Sequence, residues 1–259
     1  MDRKSISNIL GMALLLFLLT GCGNSSTPES VVTSYYENLK SGQYAQAAEK
    51  LANSVFLIQG LNKEQFSARF QTIYNQNSLI MKEFKIVETK VIDNTHTAVT
   101  IQWKGTANGK DVAIVDRVIA IKETEKWKLD INDVLAVTKA KKQMSWNIGD
   151  GKLTISDIMV GECIEGKLLR FKVDNQTNGA VQLGWAGDWS VKIITDKGSY
   201  IVPMKAPVKI APGGNDIIFA IAKEASGVVQ KASLQGLYSL NERGLPSGEA
   251  KTFNFDVVL

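Results

Sequence analysis

Hydrophobic positions obey three different rules along this chain. Over residues 9–19 they run almost without a break, behind a short start carrying Arg3 and Lys4. From Pro28 to Asn75 they recur at helical spacing. Val32, Tyr35, Tyr36 and Leu39 fall on one face of a first helix, which Thr27 caps, Pro28 opens and Ser41-Gly42 ends. Tyr44, Ala47, Ala48 and Leu51 set a second, short helix. Asn62 and Gln65, spaced as a variant capping box, start a third, whose buried stripe is Phe66, Phe70, Ile73 and Tyr74. From Lys82 the period falls to two and turn residues punctuate the chain, so strands are expected from there on.

The first strands form a meander. Phe84, Ile86 and Val91 lead to the turn Asp93-Asn94-Thr95; Val99, Ile101 and Trp103 alternate on the next strand; Asn108-Gly109 is a two-residue hairpin signal. Residues 112–121 are apolar on both parities apart from Asp116 and Arg117, and 127–131 close the group. Helices followed by antiparallel strands predict an α+β layer. Residues 136–143, "AVTKAKKQ", are basic without periodicity, so 136–145 is expected to be a linker between two domains, 30–135 and 146–259. In the second, seven alternating segments predict a β-sandwich: "KLTISDIMV", "KLLRFKVDNQ", "AVQLGW", "WSVKIIT", "SYIV", "NDIIFAIA" and "KTFNFDVVL". Asn178-Gly179, Asp196-Lys197-Gly198 and Pro212-Gly213-Gly214 are the turns between them.

The apolar run at 9–19 is too short to span a bilayer, which takes roughly 20 residues, and has the shape of a secretory signal peptide. The Leu19-Thr20-Gly21-Cys22 that ends it resembles the lipobox of bacterial lipoproteins. That resemblance implies a signal peptide of residues 1–21, a diacylglyceryl group and palmitate-like acylation on Cys22, and an anchor on the extracytoplasmic face of the cell membrane. Residues 22–29 then form a tether whose polar part, Gly23 to Ser26, extends at most about 14 Å. Two further resemblances follow. "VVTSYYENLKSGQYAQAAEKLA" and "EKWKLDIND" resemble the opening helices and last strand of the NTF2-like superfamily (DUF4878-type). This implies a cone of three helices on a curved antiparallel sheet, an active site in some relatives and filled in others, with homodimers through the open sheet face. "LLRFKVDNQTNGAVQL", "DKGSYIV" and "IAPGGNDIIFAI" are similar to the immunoglobulin-like DUF4352-type domains of Gram-positive lipoproteins.

Composition narrows the chemistry. At 259 residues with 44% hydrophobic and 22% charged side chains, the chain matches soluble globular proteins and has length for two domains. Its net charge of +4 is small, and once the first residues are removed Lys139, Lys141 and Lys142 account for the excess. No basic face for nucleic acid is implied. With Cys22 lipidated, Cys163 has no partner and reads as a small buried residue. His96 is the sole histidine, too little for a hydrolytic triad, and its place beside Asp93 and Asn94 predicts an exposed turn residue. Neither clustered His and Cys nor an Asp-rich loop is present, so no metal or cofactor is expected.

Two features carry candidate chemistry. Asp116 lies in an otherwise apolar strand: inside a cone it would have a raised pKa and serve as acid or base, with Tyr35 or Tyr36 orienting a ligand. The preferred alternative pairs it with a neighbouring lysine or turns it to solvent. Trp185 and Trp189 in "GWAGDW" either stack on sugar rings at the surface or plug the sandwich core. The expectation is a non-enzymatic, membrane-anchored binding or interaction module of the cell envelope, with an envelope protein or ligand as partner. The alternatives are small-ligand binding or lyase/isomerase chemistry in the cone, and cell-wall glycan binding through the second domain.

Overall fold

Thr27 and Ser30 start the first helix by exchanging hydrogen bonds: the Ser30 N–H donates to Thr27 Oγ1 (3.2 Å) and the Thr27 N–H to Ser30 Oγ (2.9 Å). This α1 (Pro28–Lys40) is followed by α2 (Tyr44–Ala48), α3 (Asn53–Gln59) and α4 (Lys63–Gln76). Asn62 and Gln65 cap α4 by the same reciprocal pattern, at 2.8 and 3.0 Å. The computed structural model describes residues 27–149, 151–185 and 189–259, so the expected signal peptide, Cys22 and most of the tether lie outside the described residues.

The helices cover one face of an antiparallel meander, β1 (Ile80–Val91), β2 (His96–Ala107), β3 (Lys110–Glu123) and β4 (Lys126–Asp130), in that order. Val31, Val32, Tyr35, Tyr36 and Leu39 of α1 are buried against Val99, Ile101 and Val118 of the sheet. The β4 edge is closed by the chain itself: Ala52 N donates to Leu129 O and Leu129 N to Lys50 O, at 2.8 and 2.9 Å.

Eleven further strands are described: β5 (Val134–Lys139), β6 (Met144–Ile148), β7 (Gly151–Cys163), β8 (Gly166–Gln176), β9 (Val181–Leu183), β10 (Trp189–Thr195), β11 (Ser199–Met204), β12 (Val208–Ile210), β13 (Asn215–Lys223), β14 (Val229–Ser239) and β15 (Lys251–Asp256). They form a five-stranded sheet, β13-β8-β7-β5 with β6 on β7, and a six-stranded one, β11-β10-β14-β9-β12 with β15 on β14. The two share one core, in which Phe171 of one sheet meets Phe255 of the other with ring centroids 5.3 Å apart.

The expected three-helix NTF2-like cone followed by an immunoglobulin-like sandwich is therefore corrected. The described residues are mainly strand, in three antiparallel sheets, with four short helices. The unforeseen helix, α3, has no one-sided stripe because it lies between two sheets: Val55 and Phe56 enter the first core, while Ile58 packs with Val134 of β5 and Leu168 of β8. Residues expected as linker lie in β5 and β6, which both pair with β7. The seven expected strands omit β14, which pairs with β9, β10 and β15; its consecutive buried residues Ala232, Ser233 and Leu234 and the bulge at Gly236 (φ +84°) break the alternation.

Two polar clusters join the helices to the five-stranded sheet. Asp130, wholly buried, accepts from Ser54 Oγ of α3 and from the N–H groups of Asn132 (2.7 Å) and Val134 (3.2 Å). Arg170, only 2% exposed, pairs with Asp157 at the β7 bulge and sits beneath Gly60, the left-handed C-cap of α3 (φ +65°). A Cβ on Gly60 would collide with Arg170 Nη2. Gly60→Ala, which adds this clash to an unfavourable backbone angle, is expected to lose about 2–4 kcal/mol of folding stability in denaturant titration.

Candidate functional site

Neighbouring residues of a strand face opposite ways, and β3 uses this to separate two charges. Asp116, paired in register with Ile101 of β2, points toward the helices, while Arg117 points away. Arg117 is held outside by Asp133 (Nε to Oδ1, 2.8 Å; Nη2 to Oδ2, 2.5 Å) and by Glu165 (3.1 Å). These carboxylates push the guanidinium pKa further up, so it stays charged.

On the inner side, Asp116 opens into a cavity of about 240 Å³ between α1, α4 and the first sheet. Its walls are largely aromatic: Tyr35 and Tyr36 of α1, Phe70 and Tyr74 of α4, and Trp103 of β2, with Leu39, Ile73, Met81 and Ile131 between them. The rings brace one another. Tyr35 and Tyr36 meet edge to face at 5.2 Å, Tyr36 lies 5.5 Å from Phe84, and Phe70 stacks between Phe66 (4.8 Å) and Tyr74 (6.0 Å).

Tyr36 Oη donates to Asp116 Oδ2 at 3.2 Å, and the Arg117 backbone N–H donates to Oδ1 at 2.9 Å. Burial nevertheless raises the Asp116 pKa above the usual carboxylate value, the two hydrogen bonds opposing it only in part. Burial, with the nearby negative charge, drives the Tyr35 and Tyr36 phenols far up and pushes Tyr74 up to about 12. All three hydroxyls therefore keep their protons, that of Tyr36 being donated to Asp116. Tyr35, Tyr36 and Asp116, the three residues singled out in the sequence, thus line one cavity, and Asp116 is neither lysine-paired nor on the outer face. Phe70 and Tyr74 are legible in the sequence as a buried stripe and Trp103 as one of an alternating set on its strand, and here all three are walls of the space.

The other candidates lie apart from it. Trp189 is 3% exposed, packed in the core of the two facing sheets, and its Nε1 donates to Ala206 O at 2.9 Å. It therefore presents no face to a sugar, while Trp185 is half-buried and the residues between them lie outside the described residues. His96 differs from the expected exposed turn residue. Its Nδ1 lies 3.0 Å from Asp93 and its Nε2 3.0 Å from Leu135 O, tying the β1–β2 turn to β5. Cys163 is free and half-buried, and burial pushes its thiol up to about 12, which leaves it a poor nucleophile. No group of three or more potential metal ligands occurs among the described residues, and no helix among them is long and apolar enough to cross a membrane.

Comparison of the chain with protein-family models and with curated proteins finds no match. Tyr36→Phe removes a donor to the ionised form of Asp116. The expected result is a further rise in the Asp116 pKa, read by carboxyl-carbon NMR titration, with a stability loss of about 1 kcal/mol.

Proposed function

We propose that this protein is a small-molecule-binding module of the cell envelope, anchored by lipid at Cys22, with the cavity around Asp116 as its ligand site. The observation that carries the reading is a carboxylate directed into an otherwise aromatic space. Turning a charge toward apolar walls costs folding free energy that a leucine there would not. Such a group, with orienting hydroxyls beside it, is the usual arrangement of a pocket that reads one polar feature of an apolar ligand. At about 240 Å³ the space lies below the roughly 300–1,000 Å³ of drug-sized sites, so the ligand is small.

Binding is the reading the lining supports: one acid set among apolar and aromatic walls, with neutral phenols beside it. The anchor rests on Leu19-Thr20-Gly21-Cys22. Two acyl chains hold a protein stably at a bilayer where one gives only marginal binding, and the short tether keeps the cavity close to the membrane surface. The glycan alternative has no support from Trp189, whose indole is in the core.

Each half has its own test. Metabolic labelling with palmitate should mark the wild-type chain and leave Cys22→Ala unlabelled; equal labelling of both would refute the anchor. For the cavity, a thermal-shift screen of small amphipathic molecules should find ligands that stabilise the protein, by about 2.7 kcal/mol at a hundredfold their Kd. Ile73→Trp, which places a bulky ring at the partly exposed rim of the cavity, should abolish those shifts. Shifts that persist in the blocked variant would place binding elsewhere.

A further inference from the structure

The chemical class of the ligand can be taken one step further, and this step rests on the cavity being the ligand site. We propose that the cavity takes a small organic cation, a protonated amine or quaternary ammonium carrying an apolar body. Its wall supplies five aromatic rings, from Tyr35, Tyr36, Phe70, Tyr74 and Trp103, and one acid, Asp116. Among the described residues no lysine or arginine lines it. The cation nearest in sequence, Arg117, is committed to Asp133 and Glu165 on the opposite side of the sheet.

Ring faces carry negative quadrupole potential and attract cations within about 6 Å of their centroids, more strongly where water is displaced. When ionised, Asp116 adds a negative charge at the same place. An anionic ligand would meet both as repulsion. A neutral ligand would leave that charge without a counter-charge, since among the described residues its direct hydrogen-bond partners are the Tyr36 hydroxyl and a backbone N–H. A small ammonium ion supplies that charge and lays its apolar remainder against Leu39, Ile73, Met81 and Ile131.

The proposal fixes the direction of a pH effect. The titratable groups that line the cavity with Asp116 are Tyr35 and Tyr36 from α1 and Tyr74 from α4, and Asp133, beyond the sheet with Arg117, adds a further negative charge that raises the Asp116 pKa. A bound cation favours the ionised carboxylate. Affinity is therefore full above the pKa of free Asp116, which lies above the usual carboxylate value, and falls as pH drops through it.

The test is isothermal titration of the mature lipidated chain, in a neutral detergent, with three probes of similar shape: phenethylammonium, 2-phenylethanol and phenylacetate. Phenethylammonium should bind tightest and phenylacetate weakest. Asp116→Asn, close to isosteric, should weaken phenethylammonium at least tenfold and leave 2-phenylethanol almost unchanged. If 2-phenylethanol binds wild type as well as phenethylammonium does, the cation proposal is overturned while the cavity remains a small-molecule site. If all three fail to bind, both readings fall. Should Asp116→Asn not fold, the wild-type pH series decides: phenethylammonium affinity that does not fall toward acid pH overturns the proposal.

Discussion

A buried carboxylate held by a hydroxyl and two backbone N–H groups, that of Asp130, fixes where the helical layer meets the strands that follow it. Its three donors come from different parts of the chain: Ser54 in α3, Asn132 in the connecting turn and Val134 at the start of β5. One side chain therefore sets the orientation of α3, the shape of the turn and the entry into the five-stranded sheet. Burial raises its pKa despite these bonds, so the charge is not there for the stability it adds. What it contributes is definition. An apolar residue at this position would leave three donors unpaired, and each buried, unsatisfied group costs about 1–3 kcal/mol.

The cavity around Asp116 takes part of its wall from this junction. Ile131, the residue after Asp130, is part of the cavity wall, and Asp133, two further on, holds Arg117 on the outer side of β3. Because Asp116 and Arg117 are adjacent on one strand, anchoring the arginine outside holds the aspartate inside. The outer ion pairs are partly exposed and worth little as stability, but they decide which way a charge faces. A structural contact at the junction thus sets the electrostatics of a site on the other face of the sheet.

Local signals in the sequence were read well where one rule governed a segment. The caps at Thr27 and Asn62 mark helix starts because they depend on residues three apart, and Val99, Ile101 and Trp103 of β2 alternate because they turn to the sheet face that meets the helices. Segments that serve two surfaces were opaque. Residues 53–59 bury side chains toward both cores and so show neither helical nor strand period, and β14 buries Ala232, Ser233 and Leu234 in succession. The same limit applies to the site. Asp116, Tyr35 and Tyr36 stand out as polar groups in apolar settings, but the inward direction of Asp116 follows from the partners of Arg117 at positions 133 and 165, which no local pattern connects.

Only three residues, 131–133, separate β4 from β5. Such a connection has no slack, and Asp130, His96 and Arg117 clamp it from three sides. The same few residues therefore belong to two surfaces at once: Ile131 is wall to the cavity, and Val134, three positions on, already pairs in the five-stranded sheet.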